Sequence, residues 1–335
     1  MMARTGQNPG GDARRTAHGS PLGKDLLALE PLSREQIQLI LDTAEPFKEI
    51  SERQIKKVPT LRGATIVNLF FEASTRTRVS FEFAEKRLSA DTVNVASSGS
   101  SVAKGETLVD TARNLEAMRI DMVVIRHGSS GAARFLADRI PSNVINAGDG
   151  RHEHPTQALL DMLTIRDRLG RIEGVKVCIV GDVLHSRVAR SEVQALKLMG
   201  AEVTLVAPPT LLPPAVETWG AAVAKSPDEI LSEVDVLYVL RVQRERMHRG
   251  FFPSSREYAR FWGIDATRMA MLKPEAIVMH PGPMNRGVEI TGDVADSERS
   301  VITEQVTNGI AIRMACLYLL LGGRDTDRDT DTEAN

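Results

Sequence analysis

Phe70-Phe71-Glu72-Ala73-Ser74-Thr75-Arg76-Thr77-Arg78-Val79-Ser80-Phe81-Glu82 places three hydroxyls (Ser74, Thr75, Thr77) and two guanidiniums (Arg76, Arg78) within five consecutive positions. The apolar run Ala64–Phe70 before it has the character of a buried strand. Val79, Phe83, Ala84 and Leu88 after it fall on one face of a helix. Strand, polar turn and helix start together make an anion site. The free N–H groups and positive dipole end of the helix point at the ligand, and the side chains add donors. Arg76 is placed to grip a phosphate bidentately while the hydroxyls donate to its remaining oxygens. A merely capped helix with solvated arginines would not require the two residue types to alternate so densely.

Outward from this stretch, strands and helices alternate. Strand-like segments fall near 64–70, 91–96, 121–126 and 143–146, and helical ones near 75–89, 106–118, 130–139 and 154–169. Ser33 and Gln36 predict a capping box for an earlier helix, with Leu32 and Ile37 as its hydrophobic staple. A second series starts at the strand Val175–Gly181 and continues through a helix at Arg187–Met199, with Gly200 just beyond its end. Further strands follow at 202–207, 221–225, 235–240 and 275–279. This alternation predicts an α/β protein of two domains, each a parallel sheet flanked by helices. The expected division is a disordered extension at 1–20, a first domain at 21–170 and a second at 171–302. An amphipathic helix at 303–323 is expected to pack back on the first domain, followed by a disordered tail at 324–335.

The chain of 335 residues is 42% hydrophobic, ample for two cores, and its net charge of −2 gives no general case for nucleic-acid or membrane-surface binding. Its two cysteines, Cys178 and Cys316, lie in apolar segments and make no disulfide framework, so a reducing cytoplasm is the expected compartment. No signal-peptide core is legible, and no apolar run approaches the roughly 20 residues that span a bilayer.

Every unusual polar cluster follows a strand, where open parallel sheets bind ligands. Arg126 and His127 end one strand. His154-Pro155-Thr156-Gln157 opens a helix with proline suited to its first position, so the His154 imidazole and the Gln157 amide face the same end. Such a pair can donate to a carbonyl oxygen and read an amide-like group. His152 and His154, two residues apart, do not share a face, so no metal site is expected. Gly181–Ser191 stands where a dinucleotide fingerprint would, but lacks its glycines, and Arg187 at the helix start suits a carboxylate. Arg241-Val242-Gln243 supplies a second planar fork. Two separated arginine sites fit a dicarboxylate, each gripping one end. His280-Pro281-Gly282-Pro283 forms a constrained loop whose carbonyls can accept from an amide.

These segments, together with Lys104-Gly105-Glu106-Thr107, resemble aspartate carbamoyltransferase catalytic chains of the aspartate/ornithine carbamoyltransferase superfamily. The matching motifs run in family order from about residue 25 to 322. Ser-Thr-Arg-Thr-Arg marks carbamoyltransferases generally, while Arg241-Val242-Gln243 and the His-Pro-Gly-Pro loop select the aspartate enzyme. The loop carries Gly282 where some members have leucine. A cysteine in that loop and the amine-binding Asp and Ser-Met-Gly elements of the ornithine enzyme are absent from the sequence. An acceptor such as ornithine or N-succinyl-ornithine is the alternative that Arg241 disfavours on charge.

The resemblance implies transfer of a carbamoyl group from carbamoyl phosphate to the amine of L-aspartate, an early step of de novo pyrimidine biosynthesis, with no cofactor. By motif position it assigns Ser74, Thr75, Arg76 and Thr77 to the phosphate. Thr77, Arg126 and His154 go to the carbamoyl oxygen. Gln157 and the backbone of Gly282 and Pro283 go to the carbamoyl NH₂. Arg187 takes the α-carboxylate of aspartate, and Arg241 and Gln243 the β-carboxylate. Ser100 and Lys104 would reach into a neighbouring subunit's site. A homotrimer with sites at domain and subunit interfaces follows, alone or in a larger complex with regulatory chains or dihydroorotase. Without the resemblance, Ser97–Ser101 reads as a flexible surface loop.

Overall fold

The computed structural model describes residues 20–96, 106–243, 251–252 and 254–322. The first domain contains α1 (Arg34–Glu52), β1 (Thr65–Phe70), α2 (Thr75–Arg87), β2 (Asp91–Ala96), α3 (Leu108–Ala117), β3 (Met122–His127), α4 (Ala132–Ala137), β4 (Asn143–Asp149) and α5 (Pro155–Leu169). The second contains β5 (Lys176–Val180), α6 (Arg187–Leu198), β6 (Glu202–Val206), β7 (Ala222–Ala224), β8 (Val236–Val239), α7 (Ser255–Trp262), α8 (Ala266–Met271), β9 (Ile277–Met279) and α9 (Gly292–Ala295). The last helix, α10 (Ile302–Leu321), packs on α1, α2 and α5 of the first domain. Among the described residues no helix is long and apolar enough to cross a membrane.

Local chemistry sets the helix starts. Ser33 and Gln36 form the reciprocal capping box of α1. His154 is the N-cap of α5 with Pro155 at the first turn, and Gly200 follows α6 at φ +86°. Strands β1 and β4, buried along almost their whole length, are covered on both faces, as parallel strands require.

Strand order decides where ligands can enter. The first sheet runs β2-β1-β3-β4 and the second β7-β6-β5-β8-β9, every pairing parallel. In the first, the chain moves outward from β1 to β2 and then returns to place β3 on the other side of β1. In the second, it moves from β5 through β6 to β7 and then returns to β8 beside β5. Each sheet therefore has one topological switch point, between β1 and β3 and between β5 and β8. Crevices open at such points beyond the carboxyl ends of the strands.

Two sequence expectations are corrected. Ala84 and Leu88 are buried, but Val79 and Phe83 are 36% and 49% exposed; the inward face of α2 is instead Thr77, Phe81, Ala84, Glu85 and Leu88. Nor is α10 amphipathic. Every residue from Ala311 to Leu317 is buried, because helices of the first domain enclose it on several sides.

The C-terminal part of α2 is tied to the middle of β1 by a buried polar contact, in which Asn68 Nδ2 donates to Glu85 Oε2 at 2.9 Å. Burial pushes the Glu85 carboxyl up to about 7 from 4.5, against the lowering effect of that hydrogen bond. A raised folded-state pKa means stability that is present in acid and lost as pH climbs from about 4.5 towards 7. Glu85→Gln keeps the shape and the acceptor for Asn68. It is therefore expected to stabilise the protein near pH 8 by up to about 3 kcal/mol, and by nothing measurable below pH 4. Denaturant unfolding at the two pH values checks this; an equal change at both would show that ionisation of Glu85 is not the cause.

Candidate active site

The two switch points face each other across one cleft of about 580 Å³. Ser74, Thr75, Arg76, Thr77, Arg126, His154 and Gln157 line it from the first domain, and Arg187, Arg241, Gln243, Gly282 and Pro283 from the second. Ser100 and Lys104 lie outside the described residues. Beyond the residues picked out in the sequence, Glu72 and Arg313 also line the cleft.

Each functional side chain is aimed by a local feature. Ser74 is the N-cap of α2, yet its side chain makes no cap hydrogen bond, which leaves the hydroxyl to the cleft. Arg76 follows in the first turn. It reaches across to the second domain, where a Cβ added at Gly282 (φ +61°) would stand 1.8 Å from its Nη1. Only glycine permits that approach. Arg126 sits where the register of β3 with β4 shifts, between Ile125 and His127. Its Nη1 donates to the carbonyl of Ala147 at 3.0 Å and lies 3.5 Å from Thr77 Oγ1. Gly148, at φ +116°, lets both Arg126 and Arg187 pass within 3.2 Å of where its Cβ would be.

In the second domain, Ser186 caps α6 by accepting from the Ala189 N–H, and so orients Arg187 in the first turn. The loop after β8 is tied to the turn after β5. Asp182 accepts from the Gln243 N–H at 3.2 Å and pairs with His185 Nδ1 at 2.8 Å, while Gln243 Nε2 donates to the His185 carbonyl. In the same domain the Gly282 N–H donates to His280 Nδ1 at 2.7 Å, fixing the loop that carries Gly282 and Pro283.

The electrostatics are one-sided. Among the described residues five guanidiniums (Arg76, Arg126, Arg187, Arg241 and Arg313) line the cleft against a single carboxylate, Glu72. Oε1 of Glu72 accepts from Arg126 Nη2 at 3.2 Å and from Arg187 Nη2, so one acid bridges the two domains. Burial, with the Arg241 charge nearby, lowers the pKa of Arg76. Burial also lowers Arg313, to about 10, and it still carries its proton at neutral pH. His154 is held well below the ordinary imidazole range by burial and then by Arg126, Arg187 and Arg313. It is therefore a neutral imidazole at neutral pH, with one ring N–H to donate.

A cleft of this kind is suited to anions at both ends. The first-domain wall offers a helix N-terminus, hydroxyls and Arg76; the second offers two forks, Arg187 and Arg241, for carboxylates. Between them lie neutral His154, Arg126 and Thr77, a set of donors suited to an oxygen that gains negative charge. Glu72 belonged to the opening stretch of the sequence, yet nothing local marked it, since its two partners lie 54 and 115 residues downstream. Arg313 had a signal: it is the one charged residue in the apolar run from Ile310 to Leu321.

Residues 24–167 match the family described as aspartate/ornithine carbamoyltransferase, carbamoyl-P binding domain, and residues 173–320 its Asp/Orn binding domain. The aspartate carbamoyltransferase catalytic subunit of Gemmatimonas aurantiaca is 68% identical over 304 residues, 91% of this chain and 95% of that protein. Among solved structures, an aspartate transcarbamoylase from Trypanosoma cruzi in complex with N-(phosphonacetyl)-L-aspartic acid superimposes with a TM-score of 0.83. It is 34% identical, over 90% of this chain and 98% of its own. An ornithine carbamoyltransferase from Pyrococcus furiosus superimposes at 0.80 with 31% identity, over 91% and 99%.

Proposed function

The chain belongs to the aspartate/ornithine carbamoyltransferase family, and from that premise we propose that it transfers the carbamoyl group of carbamoyl phosphate to the amine of L-aspartate, giving N-carbamoyl-L-aspartate and phosphate in pyrimidine biosynthesis. The observation that carries the choice of acceptor is the pair of arginines, Arg187 and Arg241, at the switch point of the second sheet. A dicarboxylate satisfies both forks; an acceptor with a cationic side chain would face a guanidinium across a cleft already rich in positive charge.

Ser74, Thr75, Arg76 and Thr77 hold the phosphate at the mouth of α2. Arg126, Thr77 and neutral His154 donate to the carbamoyl oxygen, and the Gln157 side chain with the carbonyls around Gly282 and Pro283 takes the carbamoyl NH₂. Arg187 binds the α-carboxylate of aspartate, and Arg241 with Gln243 the β-carboxylate. The amine attacks the carbamoyl carbon, the carbonyl oxygen gains negative charge, and the donors that were polarising it hold that charge. The carbon–oxygen bond to phosphate then breaks. Phosphate is a good leaving group, so no covalent nucleophile is needed; positioning and charge stabilisation suffice. A departing phosphate oxygen accepts the amine proton, which accounts for a cleft whose one carboxylate among the described residues is committed to two arginines. Two domains joined across the substrates close over them and exclude water from the labile donor.

We assign Ser100 and Lys104 to a neighbouring copy's site in a homotrimer. Apolar side chains left 36–49% exposed on one part of the first domain, Val79, Phe83 and Val93, support such an assembly. Two free, buried cysteines suit the cytoplasm.

Phosphate release from carbamoyl phosphate, measured against a panel of acceptors, tests the assignment. Aspartate is expected to exceed ornithine and N-succinyl-ornithine by roughly 100-fold or more in kcat/KM. Ornithine turning over as fast as aspartate would overturn it.

A further inference from the structure

Behind Gln157 lies a buried cluster in which both domains and α10 meet. Asp161, one turn further along α5 and fully buried, accepts from Gln157 Nε2 with both oxygens, at 3.2 and 3.0 Å. The same carboxylate accepts from Gln305 Nε2 of α10 at 2.6 Å and from the Tyr238 hydroxyl of β8 at 2.7 Å. A second carboxyl, that of Glu192 on α6, is also fully buried, and burial with the neighbouring Asp161 charge pushes its pKa well above the ordinary carboxylate range. Among the described residues neither oxygen of Glu192 receives a donor. Two carboxylates cannot both stay ionised face to face without water. The donors from Gln157, Gln305 and Tyr238 all converge on Asp161, so Asp161 carries the charge and Glu192 the proton, which it donates to Asp161.

From this geometry we propose that Asp161 and protonated Glu192 are positioning residues that fix which way the Gln157 amide faces. A side-chain amide normally flips between two nearly isosteric orientations. Here the neighbour is acceptor-only, so the NH₂ end must turn inward and Oε1 must face the cleft that Gln157 lines. The cleft then presents an acceptor, not a donor, beside the reacting carbon. It selects a donor substrate bearing N–H groups there over one bearing a methyl. Burial of the acid pair makes this orientation costly to reverse, since a flipped amide would set its oxygen against a carboxylate.

The inference rests on the reading of Gln157 as the group that meets the carbamoyl NH₂, and the test separates the two. The measured quantity is the ratio of kcat/KM for carbamoyl phosphate to that for acetyl phosphate, in which a methyl replaces the NH₂, with aspartate as acceptor. In Asp161→Asn the neighbour can donate or accept, the Gln157 amide loses its fixed sense, and the ratio should fall by roughly tenfold or more towards that of Gln157→Ala. Inhibition by inorganic phosphate, which does not touch the amide, should change by less than about twofold. Glu192→Gln supplies an N–H donor in place of the protonated carboxyl and should keep the wild-type ratio. If Gln157→Ala lowers the ratio and Asp161→Asn does not, the positioning role is overturned while the reading of Gln157 stands. If Gln157→Ala leaves the ratio unchanged, that reading fails and this inference with it. A loss in Glu192→Gln equal to that in Asp161→Asn would overturn the donor role of Glu192. Should Asp161→Asn not fold, hydrogen exchange of the Gln157 side-chain NH₂ in the unmodified protein decides: slow exchange without ligand is expected, and exchange at the solvent rate would overturn the proposal.

Discussion

Replacing Arg76 with alanine is expected to lower kcat/KM for carbamoyl phosphate by about 10³-fold or more while leaving the protein folded. The size follows from where Arg76 stands. It is in the first turn of α2, at the positive end of the helix dipole, next to the uncommitted Ser74 hydroxyl, on the wall assigned to the group that leaves with negative charge. Stability should be spared because Glu72, the one carboxylate lining the cleft among the described residues, engages Arg126 and Arg187. The charge nearest in effect to Arg76 is Arg241, which repels it. Removing the guanidinium therefore relieves a repulsion and breaks no ion pair with Glu72. Phosphate release with aspartate present gives the rate, and thermal unfolding gives the fold. Arg76→Lys should fall between the two, since it keeps a charge but loses the fork that matches two phosphate oxygens. Activity within tenfold of the unmodified protein in Arg76→Ala would remove Arg76 from the site.

How far the sequence alone reaches can be judged from particular residues. Elements whose signals are local were legible. Ser33 with Gln36, His154 before Pro155, and Gly200 after α6 each mark a helix end through the backbone groups left unpaired there, and all stand at those ends. The polar clusters after β1, β3, β5 and β8 were visible for the same reason: hydrophobic runs stop and charged residues begin. Strand order was not legible, because nothing in the β1 residues says that β2 lies on one side and β3 on the other. Yet that order is what sets Arg76 beside Arg126, and Arg187 beside Arg241.

Buried charges were the other blind spot. Asp161 and Glu192 on their helices look like solvated carboxylates, and only the packing of α5 against α6 and α10 removes their water. The exposure of Val79 and Phe83 escaped notice because helical periodicity locates an apolar face without saying what covers it. In α10 the reverse held, since a helix enclosed on several sides has no reason to keep a polar stripe.

A mixture of two inactive variants should regain activity if the site is completed by a neighbour. Arg76→Ala lacks the proposed phosphate grip and Lys104→Ala the residue assigned to the adjacent site, so each alone should be near background. In the proposed trimer, three identical subunits related by rotation would make head-to-tail interfaces, each joining the Arg76 wall of one copy to Lys104 of the next. A ring containing both variants, in either proportion, has one interface in which a copy with intact Arg76 meets a copy with intact Lys104. Reassembly from equal amounts makes roughly three-quarters of the rings mixed, and about a third of their sites complete, so activity should return to about one quarter of that of the unmodified protein. The fraction matters more than the return itself. Contamination or partial refolding has no reason to stop near a quarter, and a site formed within one chain would give nothing at any mixing ratio. Varying the ratio sharpens the test, because recovery should peak at equal amounts and fall symmetrically on either side. Mixed trimers confirmed by mass that remain inactive would show that Lys104 serves its own chain's cleft, and the trimer would then owe its existence to packing alone.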